Sequence, residues 1–458
     1  MKEKQIRYYS TNLKSPEVTF REALLKGLAP DGGLFMPTFI PSLNKAEIES
    51  LSSKEYYDIA HQILFKFLDH EIGSDDLLGL CRDAYNFEIP IEKITGEIYV
   101  LRLDRGPTAS FKDFASRMMA RMMNYFISAD IQHYTIITAT SGDTGSAVAN
   151  AFHGLENIDV IILFPQNEVT EIQRKQMTTL KGNIHLIAVN GKFDDCQRYA
   201  KKVFSDPRLS GFHLSSANSI NIGRLLPQSV YYFHAWSRIA GGIDEPVAFS
   251  VPSGNFGNLM GGIIAREMGL PVKRFIISTN LNNEVPEYLR EGTYNIINPS
   301  INCISSAMNV GHPGNLPRII ALYGGRMNEN GTIVREPDLG KMRHDFFGTH
   351  VSEEVTRETI SNCFRKYNIL LEPHGAVAWK GLETYLGSES VPFSGKEHFV
   401  SLETAHPAKF SEIIKQELGF TPLMPPSLSA IENMSEDYSI VDNNYEAIRE
   451  IILNIFKQ

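Results

Sequence analysis

Cysteine is scarce in this 458-residue chain, which carries only Cys81, Cys196, Cys303 and Cys363. They are widely spaced and form no Cys-x-x-Cys pair, which argues against a disulfide framework and against a zinc site, so no metal is expected. Buried thiols in a reducing cytosol are the simplest reading. Long apolar runs are missing too. Stretches such as Asp159–Phe164 fall far short of the roughly 20 residues that a membrane helix needs. The opening Met1–Ser10 segment has no apolar signal core, so a cytoplasmic location is expected. Positive charge is in deficit, with 44 Lys and Arg against 53 Asp and Glu, a formal net charge of −9. That balance argues against nucleic acid or an anionic membrane as the main partner. A small anionic substrate is compatible with it, provided that positive charge is gathered locally. Oligomeric state cannot be read from these features.

What is present is ordinary for a soluble protein of two or three domains: 43% hydrophobic and 21% charged residues. From about residue 90, short β-branched runs alternate with amphipathic stretches, the pattern of a parallel sheet covered by helices. Strands are expected at His133–Thr140, Asp159–Phe164, Ile184–Val189, Val247–Val251, Phe275–Thr279 and His398–Leu402. The first 90 residues read differently. A turn-rich segment, Ala29–Pro37, precedes helical stretches at Lys54–Leu68 and Asp75–Ala84, which suggests a separate module. Residues 282–350 are rich in Asn, Pro and Gly and read as an inserted excursion.

Five segments carry chemistry. In Gly106-Pro-Thr-Ala-Ser-Phe-Lys-Asp113, Thr108 or Ser110 is expected to cap the following helix, placing Lys112 in its first turn. A cation there opposes the helix dipole, which lowers its pKa and makes it a better nucleophile toward an aldehyde. Spacing alone does not distinguish such a lysine from a solvated surface one. Thr138-Ala-Thr-Ser-Gly-Asp-Thr-Gly145 runs from a strand into a helix N-terminus and offers amides and hydroxyls to a carboxylate or phosphate. Asp143 within it argues against a simple phosphate cradle, and a turn that merely needs glycine explains it equally. Val251-Pro-Ser-Gly-Asn-Phe-Gly-Asn258 is a second such turn, lacking the Walker and dinucleotide patterns. Ser215–Arg224 gathers hydroxyls and amides and ends in an arginine able to grip phosphate. Glu403-Thr-Ala-His-Pro-Ala-Lys409 follows a strand, at the edge where open α/β folds bind ligands.

Taken together and in this order, these segments resemble the threonine synthases, a family of fold-type II pyridoxal-phosphate (PLP) enzymes that also include the tryptophan synthase β chain. Phe20–Pro37 looks like the N-terminal domain of the longer members. The resemblance implies an α/β fold of two open, mainly parallel sheet lobes covered by helices, plus an N-terminal domain. The implied units are 1–92, 93–240 with Lys112, and 241–458 with the excursion. It implies that Lys112 forms the Schiff base with PLP, that Gly254, Asn255, Phe256, Gly257 and Asn258 hold the cofactor phosphate, and that Thr404 sits opposite the pyridine nitrogen. Asp143 would lie near the cofactor's phenolic oxygen. Thr140, Ser141, Gly142 and Thr144 would take the substrate carboxylate, and Asn218, Ser219 and Arg224 its phosphate. The implied reaction is conversion of O-phosphohomoserine and water to threonine and phosphate. A dehydratase, another amino-phospholyase or a non-catalytic PLP-binding relative would share Lys112 and the phosphate loop.

Overall fold

Runs of Ile and Val bounded by turns become strands buried on both faces, and two parallel sheets result. The computed structural model describes residues 5–130, 132–388 and 394–456. In chain order the strands are β1 (Tyr8–Ser10), β2 (Phe35–Pro37), β3 (Ile91–Thr95), β4 (Ile98–Arg102), β5 (Tyr134–Ala139), β6 (Ile158–Pro165), β7 (Ile184–Asn190), β8 (His213–Ser215), β9 (Val247–Pro252), β10 (Val272–Thr279), β11 (Arg326–Met327), β12 (Ile333–Arg335), β13 (Phe346–His350), β14 (His398–Glu403) and β15 (Ser439–Asp442). One sheet has the order β15-β7-β6-β5-β8, parallel throughout. The other runs β13-β10-β9-β14-β4-β3 and is parallel except for the β3/β4 pair. This is the α/β, mainly parallel architecture that the alternating pattern predicts, and the six expected strands appear with ends shifted by at most a few residues.

Sheet membership crosses the expected domain boundaries. β3 and β4 join the sheet built mainly from the later half, where β4 pairs with β14 from Ile98↔Phe399 to Arg102↔Glu403. β15 joins the earlier sheet beside β7. Long-range ladder pairing places such strands, and chain order does not encode it. The excursion is the crossover between neighbouring strands β10 and β13, and its last residues are β13 itself.

The N-terminal module is fastened to the site-bearing segments. Thr19 and Glu22 form a capping box at the start of the helix Phe20–Lys26. Near its end the Leu24 carbonyl accepts from Asn221 Nδ2 at 2.9 Å. Asn221 also caps the short helix Ile222–Leu225 by accepting from the Gly223 amide, so the module braces the segment that ends in Arg224. Fully buried Arg318 donates to the carbonyls of Phe35 and Ile220 and to Asn315 Oδ1, joining the module to the excursion.

Candidate active site

Lys112 is the first residue of the helix Lys112–Asp130, but the expected cap is reversed. The Asp113 carboxylate accepts from the Thr108 amide at 2.8 Å and from its hydroxyl at 2.7 Å, and Ser110 Oγ has no partner among the described residues. A Cβ on Gly106 would run into that carboxylate, which explains the glycine that opens this segment. Chain segment 109–111 is then tied to 404–406, with Phe111 N donating to Thr404 O and His406 N to Ala109 O. Lys112 and Thr404 are thereby brought to one wall. The Lys112 Nζ stands 3.8 Å from Asp143 Oδ2, beyond hydrogen-bond reach, and 4.7 Å from the Phe111 ring centroid. Burial lowers its pKa from the ordinary lysine value; Asp143 opposes, while Lys409 and Arg224 push the same way. Desolvation and neighbouring charges thus replace the helix dipole as the cause named from sequence.

Asp143 opens the helix Asp143–Phe152. Its Oδ1 accepts from Lys409 Nζ at 2.9 Å and from Gln173 Nε2 at 2.9 Å. The Gln173 amide is oriented because its Oε1 takes the Thr170 amide in a capping box. Gly142 makes room: at φ +136° it tolerates a conformation hostile to side chains, and a Cβ would lie 2.5 Å from the Gln173 amide carbon. Burial acts to raise the Asp143 pKa, but Lys409 and Lys112 prevail and hold it well below the usual carboxylate range. In the same loop the Thr140 hydroxyl accepts from the amides of Gly142 and Gly145 at 2.9 and 2.8 Å. The expectation that this loop offers all its amides to a ligand is therefore corrected at Gly142, whose N–H is spent inside the turn. Thr140, Ser141, Asp143 and Thr144 face a cavity of about 1010 Å³ that Lys112 also lines, and Gly142 does not.

The opposite wall is the turn after β9. Phe256 adopts φ +60°, ψ +11°, a left-handed conformation unusual for a bulky residue, and Gly257 begins the helix Gly257–Glu267. First-turn amides lie outside the helix's own ladder and point along its axis. Asn255 Oδ1 accepts from the Gly314 amide, which anchors the turn to the excursion. Asn258 Oδ1 accepts from the hydroxyls of Tyr231 and Tyr232, both at 2.7 Å, leaving its Nδ2 without a partner among the described residues. A Cβ on Gly254 would come within 2.8 Å of the Ala307 carbonyl oxygen.

Arg224 is buried, and its Nη1 donates to the Ala217 carbonyl at 2.7 Å, while Nε has no partner among the described residues. Burial lowers its pKa to about 10, with the field of Asp113 opposing. A buried guanidinium with an unpartnered donor, on a residue that lines a cavity, is suited to pairing with an anion. Asn218, Ser219 and Arg224 line the same cavity as Gly254, Asn255, Phe256, Gly257, Asn258 and Thr404.

Sequence reasoning missed the support behind Thr404. Its hydroxyl donates over a long 3.4 Å to Glu372, which also accepts from the amides of His374 and Gly375 and pairs with His374 Nδ1 at 2.5 Å. His374 Nε2 accepts from the Ala307 amide, and both residues line the cavity. Glu403 accepts from the Glu372 amide; burial and then the Glu372 carboxylate push its pKa well above the ordinary range. Glu372-Pro-His-Gly after an apolar stretch was a readable helix start, as Thr170-x-x-Gln173 was. Lys409 stood within a segment already singled out, without a role.

PLP fits these residues. It needs an amine without an obligate partner, and Lys112 supplies one; it carries a phosphate, and the cradle at Gly254 with the open Asn258 Nδ2 at a helix N-terminus suits one. Comparisons with known proteins agree. Residues 7–85 match the family "Threonine synthase N terminus", 86–396 match "Pyridoxal-phosphate dependent enzyme", and 376–452 match "Threonine synthase, C-terminal". A threonine synthase of Haemophilus influenzae is 39% identical over 445 residues, covering 96% of this chain and 99% of that protein. The crystal structure of PLP-bound threonine synthase from Brucella melitensis superposes with a TM-score of 0.90 at 34% identity, covering 98% of this chain and 99% of the other. The enzyme from Escherichia coli gives 0.87 at 35% identity, with 98% and 99% covered.

Proposed function

The chain belongs to the threonine synthase family of PLP-dependent enzymes, and we propose on that premise that it converts O-phosphohomoserine and water to threonine and phosphate. The observation that carries the choice of substrate is the buried Arg224, which lines the cavity shared with Lys112 and whose Nε has no partner among the described residues. A phosphorylated substrate supplies the anion that this guanidinium lacks.

When bound, PLP supplies a carbonyl that condenses with an amine and an electron sink that acidifies the neighbouring C–H bonds. In the proposed mechanism Lys112 is the amine that would hold that carbonyl and give it up to the amine of the substrate. The freed Lys112 amine would then move protons one at a time: it takes one from Cα and hands it on, takes one from Cβ, gives that one to Cγ once phosphate has left, and restores one to Cα after water has added, a task suited to its lowered proton affinity. Arg224, with Asn218 and Ser219, grips the γ-phosphate and stabilises charge as the C–O bond breaks. Ser141 and Thr144 orient the substrate carboxylate, on a turn that Thr140 and Gly142 hold together. Gly254, Asn255, Phe256, Gly257 and Asn258 hold the cofactor phosphate. With the cofactor bound, Thr404 would offer a neutral hydroxyl to the ring nitrogen and Asp143 would serve the phenolic oxygen. Water adds at Cβ, and return of Lys112 releases threonine.

Residues 1–92 act in this reading as a module that both braces Arg224 and walls the cavity, to which Thr11, Asn12 and Gly33 contribute. A cytoplasmic location belongs to the same proposal; among the described residues no helix is long and apolar enough to cross a membrane. The purified enzyme supplied with O-phosphohomoserine should release phosphate and threonine in equal amounts and leave serine and threonine intact. Phosphate released without threonine, or deamination of serine, would refute the assignment.

A further inference from the structure

Two lysines flank one carboxylate at the heart of the site, and only one of them has a task so far. Lys409 lies in the short helical turn Pro407–Phe410, and its side chain is wholly buried. It is 266 residues from Asp143 in sequence yet donates to Asp143 Oδ1 at 2.9 Å, while Lys112 approaches the other oxygen only to 3.8 Å. Gln173 completes the set on Oδ1. The carboxylate is thus hydrogen-bonded to Lys409 and holds Lys112 only in a longer ion pair.

We propose that Lys409 is a positioning residue for the reaction: its ammonium binds Asp143 in a permanent buried pair, so that Asp143 does not capture Lys112 and the Lys112 amine stays free to bond, release and carry protons. An ion pair out of water is strong when its geometry is good, and one carboxylate seated on a fixed cation has little left for a second. The charged groups that act most strongly on Lys112 are Asp143, Lys409, Arg224 and Glu372. Lys409 in turn acts on Asp113, on His406 and on Asp143. Its field on Lys112 disfavours the ammonium, in the same sense as its hold on Asp143. Removing it leaves a buried carboxylate with Lys112 as its remaining cationic neighbour, which converts the nucleophile into a counterion.

The test uses the full-length chain, stripped of cofactor, and follows the rate at which the visible band forms on adding PLP as a function of pH. The proposal rests on Lys112 as the cofactor lysine; a band that persists in Lys112→Ala would strike that reading, whereas the following outcomes strike or support this one. In Lys409→Met the pH midpoint for capture should rise by about one unit, the scale of a single lost buried neighbour. Lys409→Arg, which keeps the cation, should stay near the parent, and Asp143→Asn should lower the midpoint. A purely packing role would reduce the amplitude of capture without moving the midpoint. A folded Lys409→Met with an unchanged midpoint overturns the proposal. Should Lys409→Met fail to fold, the double variant Asp143→Asn/Lys409→Met restores folding, because no unpaired buried carboxylate remains; a double variant that also fails to fold overturns it.

Discussion

Asp113 follows Lys112 in sequence and Asp143 pairs with it across the fold, each in a glycine-bearing segment and each buried, yet their surroundings drive them in opposite directions. Asp113 folds back on its own loop, where burial pushes its carboxyl up and the two hydrogen bonds from Thr108 only oppose that rise. Asp143 faces the cavity, where two lysines outweigh the same burial and hold it ionised. Which of the two is driven down is decided by direct contact with a cation: Lys409 donates to Asp143 but reaches Asp113 only through its field.

Substitution separates the two. Asp143→Asn should cost about 10²- to 10³-fold in kcat/KM with the circular dichroism spectrum intact, since it alters charge beside the reacting groups. Unaltered kinetics would remove Asp143 from the chemistry. Arg224→Ala extends the comparison to a buried cation with no ion-pair contact among the described residues, and about a 100-fold loss in kcat/KM, with weakened inhibition by inorganic phosphate, should follow. Asp113→Ala should instead lower stability by about 2 kcal/mol in urea unfolding, through two lost hydrogen bonds and a loosened turn. Surviving activity per folded molecule would confirm its structural part, and a selective loss of activity would break the contrast.

Acid gives the finest measure. Burial pushes His234 and His406 down to about 4, so both are neutral in the folded chain at pH values where the unfolded chain is protonated. A depressed imidazole pKa means that the unfolded state binds more protons below the usual histidine range, so stability falls as pH drops from there toward 4. His234→Gln, which can still donate to the Ile89 carbonyl, should spare about 1 kcal/mol of the loss between roughly pH 6.5 and 5.5. An identical acid profile would show that His234 is not the group responsible.

Much of this was legible in the chain. Strand positions were readable because Ile and Val runs between turns have few other uses, and the chemistry-bearing segments do converge on one cavity. Contacts across distant segments were not. Nothing near Asp143 announces Lys409, and nothing near Thr404 announces Glu372 and His374, because these pairings depend on how two sheets are juxtaposed. The loop from Thr138 to Gly145 offers hydroxyls and amides on sequence, but within the turn the Thr140 hydroxyl is taken by the amides of Gly142 and Gly145. The Asp113 cap runs opposite to the expected direction because the carboxylate accepts from both Thr108 donors, so that the Thr108 hydroxyl donates rather than accepts.

The assignment of one lysine to the cofactor and the other to a carboxylate can be read directly. Borohydride reduction of the PLP-loaded enzyme followed by peptide mass spectrometry should place the pyridoxyl group on Lys112 and leave Lys409 unmodified. A label on Lys409, or on neither lysine, would contradict the site described for this chain.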